Sequence, residues 1–231
     1  HKKAFIITTP ASESSFMSIH TPLSINYDHE DFPALLLAAE FLQGAEGPFW
    51  KGIRGLGLAY GAYTSVNDQE KQLSFEIYRG ADIIKCYETG KQIIADFASG
   101  KSKIDSLVLK GALSLRINRI VQQEDSYVRS ALRKYVSVFG KKLPLNYNEE
   151  IFKKMAQVDE AELIAVIGKY FVPLFEVTTA TPFIACHPSN CELITEFFEK
   201  MGYVVSVKEL HQDENSDSDE ETDYSDSEED D

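Results

Sequence analysis

The residues best able to do chemistry lie in one short run. In "GIRGLGLAYGAY", residues 52–63, four glycines thread past Arg54, Tyr60 and Tyr63 with hardly another polar side chain. A guanidinium is a fixed fork of N–H donors and a phenol carries an O–H donor. Set six positions apart, Arg54 and Tyr60 could both donate to a carbonyl oxygen that is acquiring negative charge. The same two residues also read as a surface ion-pairing arginine and a half-buried strand tyrosine. Local propensity does not account for the glycines, since each costs roughly 1 kcal/mol relative to alanine in a helix and weakens strands too.

A phosphate cradle is a poor account of the run. Gly55, Gly57 and Gly61 faintly match a dinucleotide fingerprint, but that motif follows a strand and opens a helix. Here the run follows helix-like sequence and opens a strand. Packing explains more: glycines at such a junction permit positive φ and close backbone approach. A metal site is equally hard to build. Cys186, His187 and Cys191 cluster, yet adjacent Cys-His followed by a four-residue gap matches no common zinc spacing. With Cys86 they make three cysteines, an odd and sparse set suited to a reducing compartment.

The elements that must position Arg54 and Tyr60 follow from hydrophobic periodicity. "AFIITTP" and "SFMSIHTPLSI" read as strands. In "DHEDFPALLLAAEFLQG" Phe32, Leu35, Leu36, Ala39 and Leu42 recur at helical spacing, with Asp31 as N-cap and Gly44 as C-cap. "GPFWKGIRG" is a short helix or turn. "LAYGAYTSV" and "QLSFEIYRG", joined by the polar "NDQEK", form a β-hairpin. Four long helical stretches follow: 82–100, 104–123, 126–140 and 148–172. "LFEVTTATPFIACHP" returns to strand, "SNCELITEFFEKMGY" is a helix capped at Ser189 or Asn190, and "VVSVKEL" closes as a strand. The order predicts an α+β fold, a mainly antiparallel sheet covered by helices on one face.

The formal net charge of −14 is concentrated at the C-terminus. Residues 212–231 hold 12 of the 37 acidic residues and none of the 23 basic ones, leaving a body of net −2. That body offers no basic footprint for nucleic acid, and no apolar run reaches the ~18 to 20 residues of a membrane span. Residues 211–231 are expected to be a disordered acidic tail. Ser216, Ser218, Ser225 and Ser227 each precede an acid by three positions, as acid-directed kinases require. The tail reads as a solvating segment or as a docking site for a basic protein.

"GPFWKGIRGLGLAYGAYTSV" followed by "QLSFEIYRGAD" resembles the C-terminal substrate-contacting domain of pitrilysin/insulysin-type zinc metallopeptidases. The spacing is most similar to the presequence-protease-like branch, where an arginine precedes an "AYG" tyrosine by six positions. The likeness extends over most of residues 3–210, so residues 1–210 are expected to be one such domain. Only the Arg-Tyr run is specific; the remainder is pattern, and the tail has no counterpart.

The resemblance implies that Arg54 and Tyr60 are catalytic, binding the peptide's carbonyl oxygen and stabilising the tetrahedral intermediate. It also implies zinc, held by an inverted H-x-x-E-H motif. None of His1, His20, His29, His187 and His211 is followed by x-x-E-H, so zinc is expected in an N-terminal half, and this chain alone is expected to be inactive. The expected partners are the N-terminal metallopeptidase domains of the same polypeptide and a peptide substrate. A non-catalytic structural or assembly relative of the same family is the alternative, as is an acidic-tailed protein-binding module. Cysteine usage and the tail suit the cytoplasm; the branch likeness suits mitochondria.

Overall fold

The computed structural model describes residues 2–210; His1 and the acidic segment 211–231, with the disorder expected of it, lie outside the described residues. Six strands form one sheet: β1 (Lys3–Thr8), β2 (Ser15–Pro22), β3 (Ala59–Asn67), β4 (Gln72–Gly80), β5 (Thr181–Cys186) and β6 (Val204–Glu209). Their spatial order is β3-β4-β2-β5-β1-β6. The three pairings on the β3 side are antiparallel, and β1 pairs in parallel with both β5 and β6. The sheet is therefore mixed with an antiparallel majority. The two N-terminal strands are not neighbours, because β5 lies between them.

Among the described residues seven α-helices accompany the sheet: α1 (Phe32–Gln43), α2 (Ile83–Ala98), α3 (Ser106–Gln122), α4 (Tyr127–Tyr135), α5 (Tyr147–Met155), α6 (Glu160–Val166) and α7 (Pro188–Lys200). Strand alternation supplies the covered face of the sheet. Ala4 and Ile6, Met17 and Ile19, Leu73, Phe75 and Ile77, and Ile184 are all buried there. Gly90 of α2 faces Phe75 so closely that a Cβ would stand 2.6 Å from its Cζ. The α1 helix is buried from Phe32 to Leu42, because α3, α5 and α6 pack on it from the other side. The stretch 148–172 is two helices, broken at Gln157–Val158. Asp159 restarts the chain with a capping box, accepting from Glu162 N at 2.8 Å while Glu162 accepts from Asp159 N at 3.2 Å.

Two caps differ from expectation. Asp31 caps nothing with its side chain. Its carboxylate is held instead by Lys169 and Tyr170, both at 2.7 Å, and these hydrogen bonds keep it below the usual carboxylate range. At α7 the cap is His187 rather than Ser189 or Asn190, its Nδ1 accepting from Ser189 N at 3.2 Å. Gly44 ends α1, but with φ −59 rather than in the left-handed region. Among the described residues no helix is long and apolar enough to cross a membrane.

Candidate functional site

The chain enters the hairpin through a π-helical turn, Trp50–Arg54, closed by Gly55 N donating to Trp50 O at 2.7 Å. Two contacts fix this turn. Ile53 is fully buried, and Gly52 lies under Ile93 of α2, where a Cβ would meet Cδ1 at 2.7 Å. Arg54, next to the anchored Ile53, is exposed. Gly57 then takes φ +70, the left-handed conformation expected of a glycine at this junction, and its N–H closes on Arg54 O at 2.9 Å. Leu58 N returns to Ile53 O at 3.0 Å, and β3 begins at Ala59.

This tight reversal brings Arg54 and Tyr60 together. The guanidinium carbon lies 4.9 Å from the centre of the Tyr60 ring, a cation–π contact. Tyr60 is 58% exposed and meets Tyr78 edge-on at 6.0 Å. Among the described residues neither Arg54 nor the Tyr60 hydroxyl has a side-chain hydrogen bond or ion pair. Two strong donors therefore stand side by side and unengaged.

They stand at the end of the sheet face that, among the described residues, no helix covers. Phe5, Phe16, Tyr63, Tyr78 and Phe183 line this face, and Tyr60 joins them in bounding a trough of about 630 Å³. Phe5 stacks on Phe183 at 5.1 Å, and Phe16 meets Tyr78 at 5.6 Å. Gly61 has its own task here. The Tyr63 ring folds back across it, so that a Cβ would fall 2.3 Å from the hydroxyl. Arg79 repeats the theme, its guanidinium 5.5 Å from the Tyr78 ring.

The other chemistry-bearing residues stay apart. Cys186 is buried, and burial with the neighbouring Cys191 pushes its thiol up to about 11. His187 is engaged in its cap, and His20 meets Ser18 at 2.9 Å on the open face. Among the described residues no three His, Cys, Asp or Glu side chains converge. Sequence reasoning singled out Arg54 and Tyr60 and passed over Phe16, Glu76, Tyr78 and Phe183, which line the same trough as Tyr60. Their signal was the outward-facing alternation of β2, β4 and β5.

No family model matches the chain. It is 45% identical over 214 residues to an uncharacterized protein of Saccharomyces cerevisiae, covering 92% of this chain and 21% of that protein. It is 25% identical over 220 residues to one of Schizosaccharomyces pombe, covering 95% and 21%. The chain thus spans about a fifth of the length of the curated relatives it matches. Among solved structures it is similar to a conserved protein from Enterococcus faecalis, with TM-score 0.66, 14% identity, and coverage of 81% of this chain and 42% of that one. It is also similar to the inactive domain of a peptidase M16 from Pseudomonas fluorescens (TM-score 0.60, 16% identity, 80% and 43%) and to pitrilysin (TM-score 0.56, 11% identity, 90% and 22%). The fold is that of M16, pitrilysin-like peptidase domains.

Proposed function

We propose that this chain is the substrate-binding C-terminal domain of a zinc metalloendopeptidase, with Arg54 and Tyr60 donating to the carbonyl oxygen of the bound peptide. The observation that carries this reading is the paired exposure of the two donors at 4.9 Å, without another partner among the described residues. Zinc belongs, on this reading, to an N-terminal half of the same polypeptide, and the presequence-protease-like branch is the one its Arg-Tyr spacing favours. The chain's own contribution is to hold an oxygen as charge gathers on it. Removing one such donor typically costs about 3 to 4 kcal/mol in the transition state.

The experiment compares the full-length polypeptide with its Arg54→Ala and Tyr60→Phe variants on a quenched fluorescent peptide, each with and without a zinc chelator. The reading requires chelator-sensitive cleavage and a loss of about tenfold or more in kcat, with little change in KM, in both variants. A folded, zinc-replete polypeptide that cuts nothing across a broad peptide library favours the second reading, a non-catalytic relative. Support for that alternative comes from the neighbours described as inactive domains, from Pseudomonas fluorescens and Bordetella parapertussis.

A further inference from the structure

The trough beside Arg54 and Tyr60 is aromatic, but its centre is not. Strand register places Glu76 of β4 directly between Tyr63 of β3 and Ser18 of β2. Along its own strand it is flanked on the same face by Ser74 and Tyr78. Phe183 of β5 lies across from Ser18. Among the described residues lining the trough, Glu76 is the one acidic or basic residue.

Its carboxylate is only partly engaged. Ser74 Oγ donates to Oε1 at 2.6 Å, and among the described residues no basic side chain pairs with it. Two arginines are near enough to the aromatic cluster to choose otherwise, yet Arg54 rests on Tyr60 and Arg79 on Tyr78. Because the Tyr63 ring folds over Gly61, it leans along β3 away from its cross-strand partner Glu76. A carboxylate is thus left open amid ring faces, and ring faces themselves attract cations.

We propose that this trough is a subsite for an arginine or lysine side chain of the bound peptide, with Glu76 as the receiving carboxylate. Charge complementarity selects this occupant. The long aliphatic stem covers apolar wall while the head reaches Glu76, a division of labour that a purely apolar side chain cannot perform. The inference rests on the peptidase reading for its ligand class, a peptide whose carbonyl lies at Arg54 and Tyr60. Glu76 pairs across the hairpin with Tyr63, three residues along β3 from Tyr60, roughly 10 Å at strand spacing. The basic residue therefore falls within about three residues of the held carbonyl.

The test uses the full-length polypeptide with a metal chelator present, so that bound peptide stays intact. Anisotropy is read for short fluorescein-labelled peptides that differ at one position: arginine, citrulline (its neutral isostere) or glutamate. The arginine peptide is expected to bind about tenfold more tightly than the citrulline peptide. Glu76→Gln removes that difference, and Glu76→Lys turns the preference toward the glutamate peptide, both with an unchanged urea midpoint. Equal binding of arginine and citrulline peptides by the natural protein overturns the subsite. So does a preference that survives in Glu76→Gln. Failure of the peptidase reading looks different: the folded, zinc-replete polypeptide cuts nothing across a broad peptide library, while the citrulline comparison keeps its own result.

Discussion

Arg119 Nη2 of α3 lies 3.2 Å from Oε1 of Glu40, a carboxylate of which only 1% is exposed in the last turn of α1. The approach is Coulombic rather than a hydrogen bond, since neither oxygen of Glu40 receives one. Burial raises the Glu40 carboxyl above its ordinary value, and Arg119 and Arg116 offset only part of that. A carboxyl raised by folding stabilises the protein fully below its unfolded-state value and loses that contribution as pH rises through the folded one. Glu40→Gln is therefore expected to gain on the natural protein as pH increases from 4 toward 8. Paired urea titrations across that range check it; a difference that is flat, or of opposite slope, contradicts the burial account. Arg119→Ala, which leaves Arg116 in place, is expected to destabilise by about 1 kcal/mol at neutral pH.

Two glycines should fail for different reasons. Gly90→Ala drives a methyl into the Phe75 ring, which cannot yield because Phe49 and Phe175 hold it at 5.2 and 5.3 Å. The expected loss is about 1 to 3 kcal/mol. Gly57 has open space around it but φ +70, so Gly57→Ala should lose about 1 kcal/mol through backbone strain alone. Gly57→Asn should recover part of that, whereas no side chain rescues position 90. Urea midpoints of the three variants separate the two mechanisms.

Arg54 and Tyr60 are exposed and, among the described residues, their side chains make no hydrogen bond, so their substitution should leave stability within about 0.5 kcal/mol of the natural protein. Arg54→Lys is the more informative variant. It keeps the charge and loses the planar fork, and is expected to cleave nearly as poorly as Arg54→Ala. Recovery of most activity by lysine would mean that charge, not geometry, is what the site uses.

The thiols should differ in reactivity. Burial with the nearby Asp82 charge pushes Cys86 up to about 12, and Cys186 stands near 11. Both are buried, and Cys191 is partly exposed. Iodoacetamide applied to the folded chain should label Cys191 first and spare the other two until denaturant is added. Peptide mass spectrometry reads this directly, and native labelling of Cys86 would contradict its burial.

No residue of α4 is buried. Val128, Leu132, Tyr135 and Phe139 recur at helical spacing along it and the turn that follows, all exposed. A run of this kind should bind a hydrophobic dye when the chain is studied alone. Leu132→Glu with Phe139→Glu should lower that signal without lowering the thermal midpoint. Unchanged dye binding would assign the signal to the aromatic trough instead.

Periodicity in the sequence located every strand and most helices, because burial on one face leaves a local imprint. The nearness of Arg54 and Tyr60 was equally legible, since one turn joins them. Asp31 does stand at the N-cap of α1, but its carboxylate is claimed by Lys169 and Tyr170, 138 and 139 residues away, which no local pattern shows. Glu40 gave no warning either: only the packing of α3 on α1 reveals what its charge faces. The trough was hidden for the same reason. Glu76 acquires its surroundings from three other strands, and their order is not written in any one of them.

That order also constrains how the chain is made. Thr8 belongs to a strand whose two neighbours end at Cys186 and Glu209. During synthesis β1 leaves the ribosome before the rest of this sheet and must wait, unpaired, for β5 and β6 to follow. The sheet cannot close until β5 and then β6 have emerged, so folding is late and dominated by distant pairings. In the interval "AFIIT" is an apolar strand with two bare edges, the kind of segment that pairs with other chains until its own partners arrive.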